Sequence, residues 1–254
     1  MRILQVSDFS CIKQATVEVG KLTIIIGPQA SGKSVLCKLN YFFFECLTTQ
    51  YTFISKQQSL EKFTEALKVK FVEWFPPSAW GDKQFKISLS AGVNHISLSR
   101  KIWGGKVSDD FRVKLSEEFK AQYETLLADS QRFASKSDAL REPDPFQNEY
   151  RFHELSTKSL KKLLGKDYVA YQAFVPAGRS FFTSIGKAIA AFEQGKVLDP
   201  LILRFGRLFT SMRERGAFYI DKVDTAHQKT VYKILDELLG GRVERDGERE
   251  YMHT

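Results

Sequence analysis

Hydrophobic positions at the start of the chain follow the two-residue repeat of β-strands. The stretches "RILQV" and "ATVEV" alternate apolar and polar residues, as half-buried strands do. The next apolar run, Leu22–Ile26, does not alternate, which is typical of a strand covered on both faces. The sequence therefore predicts an N-terminal strand pair followed by a buried central strand.

Helical spacing replaces this alternation further along the chain. From Lys33, "KSVLCKLNYFFFEC" predicts a buried helix, and its cluster Tyr41–Phe44 is interpreted as core packing. Apolar residues spaced by three and four predict an amphipathic helix over 59–75, which ends at two prolines, and another from Phe111 to Leu126. Three elements thus follow from periodicity alone.

The remaining elements are short or bounded by turn residues. Alternation in "FKISLSAG" and "HISLSRKI" predicts a β-hairpin around Gly92, and a loop is expected near 136–150. "DYVAYQAFV" is a candidate strand, and the tail predicts two short strands around Asp246 and Gly247. Further helices are predicted near 153–165, 179–194, 199–215 and 222–239.

Composition places the chain among ordinary globular proteins. It has 254 residues, of which 43% are hydrophobic and 27% charged. Lys and Arg exceed Asp and Glu by 38 − 30 = 8, a balance that favours contact with DNA or another polyanion, or serves solubility alone. Three cysteines without a C-x-x-C pair, no signal-peptide core and no long apolar run predict a cytoplasmic protein without a membrane segment.

The stretch "IIIGPQASGKS" contains the complete pattern G-x-x-x-x-G-K-S of a phosphate-binding loop. Glycines let successive backbone N–H groups turn toward a phosphate, while the lysine adds a positive charge and the serine hydroxyl coordinates Mg²⁺. A strand is predicted before the loop and a helix after it, as this chemistry requires. ATP and Mg²⁺ are the expected ligands, and the predicted binding residues are Gly27, Pro28, Gln29, Ala30, Ser31, Gly32, Lys33, Ser34 and Val35.

The N-terminal segment "ILQVSDFSCIKQATVEVGKLTIIIGPQASGKS" resembles the opening of RecF/SMC/Rad50-type ATPases. It is most similar to small ATPases of bacterial anti-phage systems, namely OLD-like, retron-associated and Septu-associated proteins, which also share a segment like "FVPAGRSFF". The resemblance implies an ABC-class head that dimerises around ATP, with an effector nuclease as a possible partner. It also makes Gln172 a candidate Mg²⁺ ligand or an ordinary strand glutamine, and Arg179 a phosphate sensor or a structural residue.

These features together predict an α/β P-loop NTPase fold. N-terminal antiparallel strands would lie on a mixed sheet, with a largely helical insertion and without the second lobe of an ABC-type head. The expected segments are the start of the core over 1–50, the insertion with its β-hairpin over 51–166, and a return to the core over 167–254.

The carboxylates for ATP hydrolysis are missing from the sequence pattern. Such enzymes place an Asp and a water-orienting Glu after an apolar strand, but only Asp221 follows a comparable run, and Lys222 comes next. "SLSAG" superficially resembles a signature motif but is interpreted as a turn. Walker B and signature motifs are therefore expected from elsewhere, and the chain alone is expected to be inactive.

Three functional hypotheses follow. In the first, the chain is an ATP-binding lobe that is completed by a second chain or works as a homodimer. In the second, it is a complete P-loop phosphotransferase of another class that uses Asp221. In the third, it is a DNA-binding scaffold whose nucleotide stabilises the fold, which the positive charge favours.

Overall fold

The computed structural model describes residues 2–137, 157–158, 161, 165, 168, 172–178, 192, 198–219, 233, 237, 242–246 and 249–253. The chain divides into two compact units, Met1–Phe174 and Val175–Thr254. The predicted boundary after residue 50 falls inside a helix, and the one after residue 166 lies outside the described residues.

The first unit contains five strands and three α-helices in its described residues. They are β1 (Arg2–Phe9), β2 (Ile12–Val19), α1 (Lys33–Ser55), α2 (Leu60–Trp74), β3 (Lys86–Ala91), β4 (Asn94–Trp103), β5 (Lys106–Leu115) and α3 (Glu117–Ser137). A short 3₁₀ turn, Pro77–Ala79, follows α2. The α/β class is thus confirmed, as are the N-terminal strand pair, the helix from Lys33, the helix over 59–75 and the hairpin around Gly92.

The five strands form one sheet in the order β2-β1-β3-β4-β5, and each neighbouring pair is antiparallel. The predicted mixed sheet is therefore not found in the described residues. Since β3 pairs directly with β1, the strands of the predicted insertion continue the sheet that the N-terminal pair begins.

The prediction of a buried strand at Leu22–Ile26 is wrong. The segment has no strand pairing, and its aliphatic side chains are largely exposed: 82% for Leu22, 72% for Ile24 and 90% for Ile26. Both edges of β1 are already paired, one with β2 and the other with β3, so Leu22–Ile26 cannot pair with β1. A strand without regular polar alternation needs cover on two faces, and the described residues leave Leu22, Ile24 and Ile26 uncovered.

The predicted helix from Phe111 to Leu126 is correct only in its second half. Phe111 and Leu115 belong to β5, and α3 starts at Glu117. A spacing of four residues keeps side chains on one face of a strand as well as of a helix, so the two periods could not be told apart there. Ser116 marks the boundary, because its Oγ accepts a hydrogen bond from the Phe119 N–H.

An aromatic cluster joins the helices to the sheet. Phe71 of α2 is fully buried, with its ring centroid 4.9 Å from that of Phe111, 5.3 Å from that of Phe42 and 5.9 Å from that of Phe9. One side chain thereby links α1, β1 and β5. The interpretation of Tyr41–Phe44 as core packing is confirmed, since all four side chains are buried.

The second unit contains α4 (Pro200–Tyr219) and the antiparallel pair β6 (Arg242–Asp246) and β7 (Arg249–His253). The helix predicted at 199–215 and the terminal strand pair are confirmed. The apolar stretch before Asp221 is not a strand in its described part, because Ala217–Tyr219 form the last turn of α4. Tyr168 and residues 172–175 are likewise not in a strand, and the other residues of "DYVAYQAFV" lie outside the described residues, as do most of 153–165, 179–194 and 222–239.

The exposure of Ile24 and Ile26 predicts that the double variant Ile24→Ser/Ile26→Ser keeps its stability. Exposed sites change the free energy of unfolding by less than about 0.5 kcal/mol each, whereas Phe71→Ala, which empties a buried site, costs about 3–5 kcal/mol. Urea unfolding followed by circular dichroism measures both. A loss of several kcal/mol in the serine variant would show that this run is buried after all.

Candidate functional site

The candidate site is the loop Gly27–Gly32 at the amino end of α1. The loop follows segment 22–26, which belongs to no strand or helix, and leads into a helix of 23 residues. Its tight course depends on two residues with positive φ, Ala30 at 60° and Gly32 at 88°. Gly32 is the residue that caps the helix, and glycine adopts this left-handed backbone without steric cost.

Gly32 is also required by its neighbours. A Cβ at position 32 would lie 2.5 Å from Cγ1 of Ile12 and 3.2 Å from Sγ of Cys11. Cys11 lies in the turn between β1 and β2 and Ile12 begins β2; the Ser10 N–H fixes this turn by donating to the Trp80 carbonyl at 3.0 Å. The N-terminal strand pair therefore positions the end of the loop, a role that the sequence pattern did not reveal because the contact is tertiary.

Lys33 turns back into the loop. Its Nζ donates to the Gly27 carbonyl at 2.8 Å and to the Pro28 carbonyl, with the Ser31 hydroxyl 3.5 Å away. The ammonium therefore lies among the loop atoms, where a phosphate of a bound nucleotide is expected. The Ser31 hydroxyl donates to the Pro28 carbonyl at 2.8 Å and closes the loop further.

The amino end of α1 suits an anion. The first N–H groups of a helix have no intrahelical acceptor, and Gly32 offers no side chain to cap them. The first turn contains no acidic residue that would repel a phosphate, and the helix dipole adds partial positive charge there. Ser34 is exposed in this turn, so its hydroxyl is accessible to a metal ion.

Gln172, the other predicted Mg²⁺ ligand, contacts α1 further along. Its Nε2 donates to the Tyr41 carbonyl at 3.1 Å and lies 3.5 Å from Oε2 of Glu45. Tyr41 comes seven residues after Ser34, which is about 10 Å along a helix. The structure thus brings together residues 27–35 of the predicted site and places Gln172 against the third turn of the helix.

Two other candidates, Arg179 and Asp221, lie outside the described residues. All three cysteines are free; Cys11 and Cys37 are exposed near the loop and the first turns of α1, whereas Cys46 is buried. Burial raises the pKa of the Cys46 thiol well above its ordinary range, so this thiol stays protonated and unreactive.

Comparison with known proteins gives no relative from which a function could be transferred. No protein-family description, curated protein or solved structure matches the chain. Within the described ranges, none of the helices has the length and apolar character that crossing a membrane requires.

Because a Cβ at position 32 would clash with Ile12, we expect Gly32→Ala to lower the free energy of unfolding of the first unit by more than the strain of an alanine with positive φ. Gly104 provides the matched control, since its φ is also positive (55°) but nothing lies within 4 Å of an added Cβ. Gly104→Ala should cost about 1 kcal/mol of unfolding free energy, and Gly32→Ala clearly more.

A double-mutant cycle with Ile12→Ala separates the cost of the clash with Ile12 from the cost of backbone strain. Removing the Ile12 side chain should make Gly32→Ala less costly than it is in the natural sequence. Equal costs for the two glycine variants in urea unfolding, or strict additivity with Ile12→Ala, would contradict this packing.

Proposed function

We propose that residues 27–35 bind the phosphates of ATP together with Mg²⁺, and that the chain is the ATP-binding lobe of an SMC/RecF-like ATPase of an anti-phage system. The position of Lys33 carries the proposal. Its ammonium lies inside a loop that ends at a helix amino terminus without a side-chain cap and without an acidic residue in its first turn. The ammonium and the positive end of the helix thus converge on one exposed loop.

The residues present fit the nucleotide and its metal. Backbone N–H groups of the loop and first turn would receive phosphate oxygens, and Lys33 would exchange a carbonyl contact for a phosphate oxygen. The exposed Ser34 hydroxyl is a hard oxygen ligand of the kind that Mg²⁺ prefers. Bound Mg²⁺ would neutralise part of the triphosphate charge.

The exposed segment Leu22–Ile26 supports completion by a second chain or lobe. Three aliphatic side chains exposed on a segment without strand pairing form the kind of apolar surface that marks an interaction site. In the proposed assembly, strands of the completing lobe cover this run and bring the carboxylates for hydrolysis. The resemblance to RecF/SMC-type proteins and the missing Asp–Glu pair favour this over an autonomous phosphotransferase.

Isothermal titration calorimetry tests nucleotide binding. The full chain should bind ATP with Mg²⁺, and Lys33→Ala should weaken the affinity about 10- to 100-fold, because a hydrogen bond to a charged group is lost. Lys21→Ala is the matched control: it removes one exposed positive charge upstream of the loop and should leave the affinity unchanged.

A second readout separates binding from turnover. Phosphate release by the chain alone should be negligible, since the water-orienting carboxylate is expected from a partner. Absence of ATP binding, or equal effects of the two lysine variants, would overturn the phosphate site; robust hydrolysis by the isolated chain would overturn the need for a completing lobe.

A further inference from the structure

The five-stranded sheet has one face that the nucleotide site does not use. Residues directly opposite each other on neighbouring strands share a face, so the register sorts the side chains. One face contains Leu4, Val6, Ile87, Leu89, Ile96 and Leu98 and forms part of the core. On the other, the polar face, two rows run across all five strands: Arg112, Ser99, Lys86, Ser7 and Gln14, and then Lys114, Ser97, Ser88, Gln5 and Thr16.

The composition of these two rows suits a polyanion. These two rows contain three cations, seven hydroxyl or amide side chains and no carboxylate; Glu18 lies two residues beyond Thr16, and Asp110, two residues before Arg112, is paired with Lys101. The long side chains of Lys86, Arg112 and Lys114 are exposed, while the serines between them are recessed, with Ser88 4% and Ser97 9% exposed. A shallow polar surface edged with cations offers donors to phosphate oxygens and little for an apolar partner to bury.

The positive potentials of the three cations overlap. Strands lie about 4.8 Å apart, so Lys86 and Arg112, two strands apart, are separated by about one Debye length at moderate salt. Partial burial lowers the pKa of the neighbouring His95, and the positive charges of Lys86 and Lys114 lower it further. His95 accordingly adds no charge at neutral pH, and its Nδ1 lies 3.0 Å from the Ser90 hydroxyl.

β4 and β5 extend beyond the sheet as a two-stranded ribbon. β3 begins at Lys86, opposite Ser99, so the pair beyond Arg100 has no third strand beside it. The ribbon ends in the turn Gly104-Gly105, whose φ values of 55° and 77° are those of a tight hairpin. Trp103, directly before this turn, is 85% exposed.

The base of the ribbon is firmly held. The Arg100 side chain is buried; its Nε donates to the Ser108 carbonyl at 2.6 Å, and one Nη donates to the Gly81 carbonyl at 2.5 Å. Its other Nη pairs with Asp109, and the guanidinium lies 5.5 Å from the centre of the Trp80 ring. Trp103 is therefore presented on an anchored ribbon.

Two lysines lie close to the exposed Trp103. Lys106 lies directly opposite Trp103, and Lys101 precedes it by two residues on the same face, where it pairs with Asp110. Trp103 lies four residues beyond Ser99, about 13 Å along β4 from the row that contains Lys86 and Arg112, and a register shift between Arg100 and Ile102 separates the ribbon from the sheet. An aromatic ring beside lysines, on a sheet with further exposed cations, is the combination that proteins use for unpaired bases.

We propose that the polar face and the Trp103 ribbon together bind single-stranded nucleic acid. Lys86, Arg112 and Lys114 neutralise phosphates, and the Trp103 ring stacks on a base. Neither element belongs to the phosphate loop, so this activity does not rest on the proposed nucleotide site.

Fluorescence anisotropy of a labelled oligothymidylate of about 16 nucleotides, titrated with the full chain, tests the cations. The triple variant Lys86→Gln/Arg112→Gln/Lys114→Gln should bind at least about tenfold more weakly at about 50 mM salt. The slope of log affinity against log salt should become shallower by about 2, roughly 0.7 for each cation removed.

A control variant with the same change in net charge, from +8 to +5, shows whether the effect depends on the position of the cations on the polar face. It replaces two lysines and one arginine, exposed on or next to the helices, by glutamine: Lys56, Lys62 and Arg132. This control should bind within about twofold of the natural chain. Equal weakening by both triple variants, or no binding at low salt, would overturn the proposal; thermal unfolding followed by circular dichroism confirms that each variant is folded.

The second part of the experiment measures the fluorescence of Trp103. Trp74 and Trp80 are buried, so a base that stacks on Trp103 should quench the exposed part of the intrinsic fluorescence. Trp103→Ala should abolish this quenching and weaken oligothymidylate binding roughly 5- to 150-fold, while Trp103→Phe keeps part of the affinity.

Two further ligands distinguish other partners. A blunt DNA duplex shares the phosphates but hides its bases, so it should bind more weakly and leave Trp103 fluorescence unquenched. Vesicles with anionic lipid should not shift the Trp103 emission. Duplex binding as tight as that of the single strand, or a blue shift on vesicles without oligothymidylate binding, would overturn the assignment.

Discussion

The packing of Phe71 is the interaction on which the rest of the first unit depends. Its ring lies among those of α1, β1 and β5, so a single side chain packs the first helix against two strands of the sheet. Because the loop Gly27–Gly32 leads directly into α1, its last residue inherits the position of that helix. The aromatic core is thus what allows an exposed loop of small residues to keep a defined end.

The loop itself is held from both directions. Gly32 packs against Ile12 at the β1–β2 turn, and Lys33 binds the carbonyls at the start of the loop. The backbone N–H groups of the first helical turn have no intrahelical acceptors. The sheet whose β1–β2 end contacts the loop also presents Lys86, Arg112 and Lys114 on its polar face, so two anion-binding surfaces are proposed on one compact unit.

Local patterns predicted what depends on local physics. The two-residue repeat identified β1, β2 and the β3–β4 hairpin, the helical repeat identified α1 and α2, and the motif identified Gly27–Gly32 as a loop that leads into a helix. Sequence could not show that Leu22–Ile26 lacks a sheet partner, because that depends on which strands pair with β1. Nor could it show the contact of Ile12 with Gly32 or of Gln172 with Tyr41, since both join residues far apart in the chain.

Amide hydrogen exchange measured with and without ATP and Mg²⁺ tests the central claim most directly. Without nucleotide, the amides of residues 22–31 should exchange rapidly, because they are exposed and outside any sheet or helix in this structure. With nucleotide, protection should appear at residues 27–35 and leave the sheet unchanged. Identical exchange in both conditions, or slow exchange at residues 22–26 in the free chain, would contradict the account.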